Sequence, residues 1–157
     1  MVELNGNAAR ITVAGTGYVG LSLAVLLARQ NHVTAIDIVP EKLEMISSGR
    51  SQIADPEIEE ALAEGGLNLE VALDKGGNNN EDGASIAYSN ADFVIVATPT
   101  NYDPQKNHFD TTQVDKVVNR VLAVNKEAVI AIKSTVPVGY TESLRMRVGY
   151  ESILFSP

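Results

Sequence analysis

Short apolar runs, each closed by glycine, proline or a small polar residue, recur along this chain and predict strands alternating with helices. Ile11-Thr12-Val13-Ala14 is β-rich and stops at Gly15, which reads as a buried strand. From Tyr18 to Arg29 the chain is almost wholly aliphatic, with Leu21, Leu23, Val25, Leu26 and Leu27 spread along three helical turns, the pattern of a helix buried against a sheet. Asn31 suits a left-handed stop for that helix, and Val33-Thr34-Ala35-Ile36 forms a second strand ending in Asp37. Strand, helix and strand fit within about thirty residues, the length a parallel crossover needs.

The same alternation continues. Pro40 suits the first turn of a helix running to Ile46 and stopped near Gly49, and Pro56 opens another to Ala63 before Gly65-Gly66. Leu67 to Leu73 holds a third strand. The stretch Gly76-Gly77-Asn78-Asn79-Asn80-Glu81-Asp82-Gly83 has almost nothing to bury and reads as a mobile surface loop. Phe93 to Ala97 is a fourth strand that meets Pro99, which cannot continue a ladder. Asp110 with Gln113 resembles a capping box for a helix over Thr111 to Val124, followed by a fifth strand, Ala128 to Ile132. A helix at Thr141 to Val148 and a strand at Ile153 to Phe155 complete the pattern. No internal repeat is visible, and the fold class predicted is α/β, a doubly wound, mainly parallel sheet with helices on both faces.

Composition narrows the function. With 157 residues, 45% of them hydrophobic, the chain suits one domain over 1–157. A net charge of −8 without a Lys/Arg-rich run argues against nucleic acid or an anionic membrane as partner, which leaves a small soluble ligand. No cysteine is present, so the chain has neither disulfides nor a thiol nucleophile. The polar start, with Glu3, Asn5, Gly6 and Asn7, is unlike a signal peptide or a membrane span, and the cytoplasm is the simplest location.

Gly15-Thr16-Gly17-Tyr18-Val19-Gly20 matches G-x-G-x-x-G, and it gains weight by following a predicted strand and opening a predicted helix. Gly15 permits the tight turn, Gly17 lets a diphosphate approach the backbone, and Gly20 lets helix and strand pack closely. Free amides and the positive end of the helix dipole hold the anion without any lysine. Asp37, twenty-two residues after Gly15, stands where a carboxylate accepts hydrogen bonds from the adenosine ribose. A 2′-phosphate there meets like charge, so the cofactor expected is NAD rather than NADP, in a Rossmann-type domain.

Other candidates read two ways. Lys42 either reaches the adenosine ribose or is a solvated residue of the next helix, and spacing fits both. Thr98-Pro99-Thr100 and Ser134-Thr135-Val136-Pro137 lie at carboxyl ends of predicted parallel strands, where open α/β sheets bind ligands; helix capping and loop turning account for them as well. Tyr18 is either core or a cofactor contact. His32, in a presumed turn, and His108, in a polar loop, read as surface residues rather than general bases, and no metal motif or G-x-S-x-G elbow is seen.

The order of G-T-G-Y-V-G at 15–20, D-x-x-x-x-K from Asp37 to Lys42, T-P-T at 98–100, Asn101-Tyr102, Phe109-Asp110-Thr111 and K-S-T-V-P-V-G at 133–139 resembles the UDP-glucose/GDP-mannose dehydrogenase family, from Ile11 to Pro157. The 76–83 stretch departs from the family pattern, in a place that tolerates added loop. The resemblance is strongest to members acting on UDP-glucose. It implies four-electron oxidation of a sugar C6 alcohol to a carboxylate, with two NAD and a cysteine-bound intermediate, in nucleotide-sugar metabolism. It implies Thr135 near the nicotinamide and a catalytic water as the one catalytic residue here, with Thr100 and Ser134 lining the cofactor, and Tyr18, Val19, Thr98 and Pro99 joining the site. The cysteine, the central helix and a sugar-nucleotide domain are expected beyond Pro157, so the chain is expected to bind NAD without turnover, as part of a homodimer or higher oligomer. GDP-mannose or UDP-N-acetylmannosamine dehydrogenases are the alternatives within the family, and an NAD-sensing module without chemistry is the alternative outside it.

Overall fold

A computed structural model of the chain describes residues 8–76, 82–105 and 108–157. In chain order its elements are β1 (Arg10–Ala14), α1 (Tyr18–Leu27), β2 (His32–Asp37), α2 (Pro40–Ser47), α3 (Pro56–Glu64), β3 (Leu69–Leu73), α4 (Gly83–Asn90), β4 (Phe93–Val96), β5 (Asn101–Asp103), β6 (His108–Asp110), α5 (Thr112–Val124), β7 (Val129–Ile132), α6 (Tyr140–Val148) and β8 (Ile153–Phe155). Six strands form one sheet in the order β3-β2-β1-β4-β7-β8, every neighbouring pair parallel. The chain runs outward from β1 to β3, then returns to place β4 on the other side of β1. The β1–β4 junction is therefore the switch point, where the crossovers leave on opposite faces and open a crevice.

The period of two along each strand sorts the core. Ile11, Val13, Val33 and Ala35 face α1, packing on Ala24 and Ala28. Ala14, Ile36, Val94, Val96, Ile130 and Ile132 face the other way, onto Tyr88 of α4 and onto α5. In α5, Val114, Val117, Val118 and Val121 are buried, one stripe at helical spacing. Burial on both faces explains why these strands are nearly continuous apolar runs.

Several boundaries differ from the sequence pattern for identifiable reasons. Helix α1 ends at Leu27, before Arg29. Asn31 closes it with its side chain: Nδ2 and the Asn31 amide both donate to Leu27 O, while Oδ1 accepts from the Ala9 amide. Strand β3 starts at Leu69, because Leu67 follows Gly66 (φ +77°) and packs into the core instead. The residue capping α5 is Thr111, without a side-chain bond, while Asp110 Oδ1 accepts from the Thr112 amide at 3.0 Å; the expected capping box is replaced by this turn. His32 begins a strand rather than sitting in a turn, and its ring pairs with Asn68. His108 lies in β6, not in a loop.

Two elements were not read from the sequence. The loop expected over 76–83 falls mainly on 77–81, outside the described residues, but Asp82 and Gly83 already belong to a helix start: Asp82 Oδ1 accepts from the Ser85 amide at 2.8 Å and caps α4. The hairpin β5–β6 pairs Tyr102 with Phe109, ring centroids 4.9 Å apart. No helix among the described residues is long and apolar enough to cross a membrane, and no cluster there has the side chains to hold a metal ion.

Candidate functional site

The glycine loop joins β1 to α1 at the switch point. Gly15 has φ +101°, and a Cβ there would lie 2.5 Å from the Ala97 carbonyl oxygen, so both backbone conformation and space call for glycine. Its amide donates to Ile36 O at 2.7 Å, tying the turn to β2. A Cβ on Gly20 would lie 1.9 Å from Gly15 O, so α1 packs against its own entry turn. Gly17 is different. Its backbone is ordinary (φ −68°, ψ −174°) and a Cβ there would meet nothing within 4 Å. The fold does not need that glycine, whereas a ligand lying against the backbone would.

Gly17 is the residue before the first helical position, and α1 has no side-chain cap and no acidic residue in its first turn. The leading amides of a helix have no partners within it, and they carry the positive end of its dipole. An uncapped amide cluster with open space over Gly17 fits a diphosphate.

Asp37 stands one strand over. Although only 8% exposed, it is well provided with donors. Its Oδ2 accepts from the Thr16 amide (2.9 Å) and the Thr16 hydroxyl (2.6 Å), and Oδ1 accepts from the Val39 amide (3.1 Å). Lys42 Nζ, reaching across from α2, lies 3.7 Å from Oδ2 and forms an ion pair with it. Burial pushes the Asp37 carboxyl up, but the Thr16 and Val39 hydrogen bonds and Lys42 outweigh it and hold the group below the usual carboxylate range. The acid is therefore ionised at neutral pH.

The other predicted residues line the same edge. Gly15 abuts the Ala97–Thr98 peptide, so T-P-T follows directly beside the glycine loop. Ser134 is buried, and its hydroxyl donates to Thr98 O at 2.7 Å, which ties the ends of β4 and β7 together. Thr98 and Thr100 are half-buried, and Pro99 and Thr135 are exposed. Tyr18 is not core: it is 60% exposed, and its hydroxyl donates to Asp55 Oδ2 at 3.1 Å, while Val19 beside it is also exposed. Gln52, which sequence reasoning missed, reaches the loop by donating from Nε2 to Thr16 O at 2.7 Å. Nothing in its spacing marked it, since the contact depends on how residues 51–55 fold back. Clefts of about 470 and 550 Å3, beside α2–α3 and beneath β1–β3, contain none of these residues.

A parallel sheet in this strand order, with a glycine turn opening the helix after β1 and an acid ending β2, defines a dinucleotide-binding Rossmann domain. The chain belongs to the UDP-glucose/GDP-mannose dehydrogenase family: the model of that family's NAD binding domain matches residues 9–152. Its cofactor is NAD, as expected. It is 43% identical to a UDP-glucose 6-dehydrogenase of Streptococcus pneumoniae over 94% of this chain and 35% of the relative, and 37% identical to one of Campylobacter jejuni over 94% and 36%. A solved UDP-glucose dehydrogenase of Pyrobaculum islandicum superposes with TM-score 0.73 at 29% identity, over 99% of this chain and 36% of that one. The chain thus spans about a third of the length of the relatives it matches.

Proposed function

We propose that this chain holds NAD along the carboxyl edge of the sheet, in a protein that oxidises the C6 alcohol of UDP-glucose to a carboxylate with two NAD. The diphosphate lies on the amides at the start of α1, Asp37 takes the adenosine ribose, and the nicotinamide half runs past β4 toward Thr100 and Thr135. NAD supplies a hydride acceptor; the residues of this chain bind it, orient it and reject a 2′-phosphate. The chain has no cysteine, so it binds cofactor without forming the covalent intermediate that the family resemblance implies. The names of the relatives, of whose length the chain spans about a third, support UDP-glucose as the sugar.

The observation that carries this reading is the contrast within the loop: Gly15 and Gly20 are held by contacts of the fold, while Gly17 is left open beside uncapped amides. Isothermal calorimetry on the chain should show saturable NAD binding and at least a tenfold weaker response to NADP, on the scale of one unfavourable charge contact. Equal affinities, or no binding of either at millimolar concentration, would contradict it. In the larger protein, NADH should form on adding UDP-glucose; formation with GDP-mannose alone would change the substrate.

A further inference from the structure

Within G-x-G-x-x-G, position 16 is one that the pattern leaves free, yet Thr16 is completely buried and is bonded on three sides. Its amide and its hydroxyl both end on one oxygen of Asp37, Oδ2. An ionised carboxylate only accepts, so the single hydroxyl proton of Thr16 is committed to Asp37. Gln52 Nε2 approaches the same hydroxyl oxygen at 3.4 Å from the acceptor side and fixes the Thr16 carbonyl at 2.7 Å. Lys42 adds its charge to Oδ2, at 3.7 Å. One carboxylate oxygen is thus saturated from the glycine loop, while Oδ1, carrying the Val39 amide, keeps acceptor capacity for a ligand.

We propose that Thr16 is a positioning residue that sets the preference for NAD over NADP by pinning the Asp37 carboxylate. This rests on the reading that Asp37 receives the adenosine ribose. A carboxylate held by two donors of the loop cannot rotate away from a 2′-phosphate, so like-charge repulsion is enforced rather than relaxed. Without the hydroxyl, Oδ2 keeps only the Thr16 amide and the Lys42 charge, and the carboxylate can swing toward solvent. It then loses alignment to the ribose hydroxyls and also withdraws its obstacle to the phosphate. Specificity would then be encoded one residue away from the group that touches the cofactor.

The test is calorimetric titration of wild type, Thr16→Val, Thr16→Ala and Thr16→Ser with NAD and with NADP, alongside a thermal melt of each. Thr16→Val keeps the shape and removes the donor; if it does not fold, Thr16→Ala carries the same comparison. The expected result is NAD weakened by about tenfold in the variants lacking the hydroxyl, NADP weakened less or not at all, and wild-type behaviour restored by Thr16→Ser. A purely structural role would lower the melting temperature and weaken both dinucleotides alike, leaving their ratio unchanged, and that outcome would overturn the proposal while leaving NAD binding intact. Wild-type chain with no preference between the two would instead overturn the assignment of Asp37, and this proposal with it.

Discussion

A methyl group added to each glycine of the loop meets a different fate, and this separates folding from binding at the scale of single residues. On Gly20 it collides with Gly15 O at 1.9 Å, a backbone atom that cannot turn aside. Gly20→Ala should therefore cost about 3 kcal/mol or more of stability, the range of forced overpacking. On Gly17 it enters open space at an allowed backbone conformation, so Gly17→Ala should cost at most about 1 kcal/mol, the difference between glycine and alanine before a helix. Yet it should weaken NAD strongly, because the Cβ would stand on the proposed path of the diphosphate. Urea unfolding and NAD titration of the two variants check this: a Gly17→Ala chain that binds as wild type would remove the cradle from the account. The three glycines were visible in the sequence, as was Asp37. What distinguishes the glycines was not, since it depends on atoms of Ala97 and Thr98, just after β4, and on the turn itself.

At the scale of elements, the carboxyl end of β3 and the start of α4 are clasped by α5. The Arg120 guanidinium donates to Asp74, to both oxygens of Asp82 (2.8 and 2.9 Å) and to Ser85 Oγ (2.9 Å). Burial pushes the Asp82 carboxyl up, but the Ser85 amide and Arg120 prevail and hold it far below the usual carboxylate range. Removing the cation leaves two poorly exposed carboxylates facing each other. Arg120→Met is thus expected to destabilise the chain by about 3–5 kcal/mol, as for a broken buried ion pair, read as a lower urea midpoint; an unchanged midpoint would show that the clasp contributes nothing. None of this was legible beforehand, because Arg120 lies 46 and 38 residues away from Asp74 and Asp82 in sequence. Helix α4 was missed for a related reason. Its residues, Gly-Ala-Ser-Ile-Ala-Tyr-Ser-Asn, are mostly small and polar and blend into the preceding asparagines, and only Asp82, three before Ser85, signalled a cap. The sheet strands were readable because burial on both faces makes them unbroken apolar runs. The hairpin β5–β6 has three-residue strands and lacks the Asn-Gly turn that would announce it.

For the whole molecule, the strand order matters most. Placing β4 beside β1 brings the glycine loop, Asp37, Thr98 to Thr100 and Ser134-Thr135 to one edge, although they are drawn from four strand ends scattered over more than a hundred residues. A chain of net charge −8 can still receive an anionic dinucleotide there, because the attraction is local: unpartnered amides, a helix dipole and no acid in the first turn of α1. The most direct measurement is an NAD titration of the nitrogen-15-labelled chain followed by NMR. The amides of Gly17, Tyr18, Val19 and Gly20 should shift together with those of Asp37 and Val39 and saturate at one common affinity. Saturable shifts confined to the cleft beneath β1–β3, around Thr12, Thr34 and Ala87, with the glycine loop unmoved, would contradict the account.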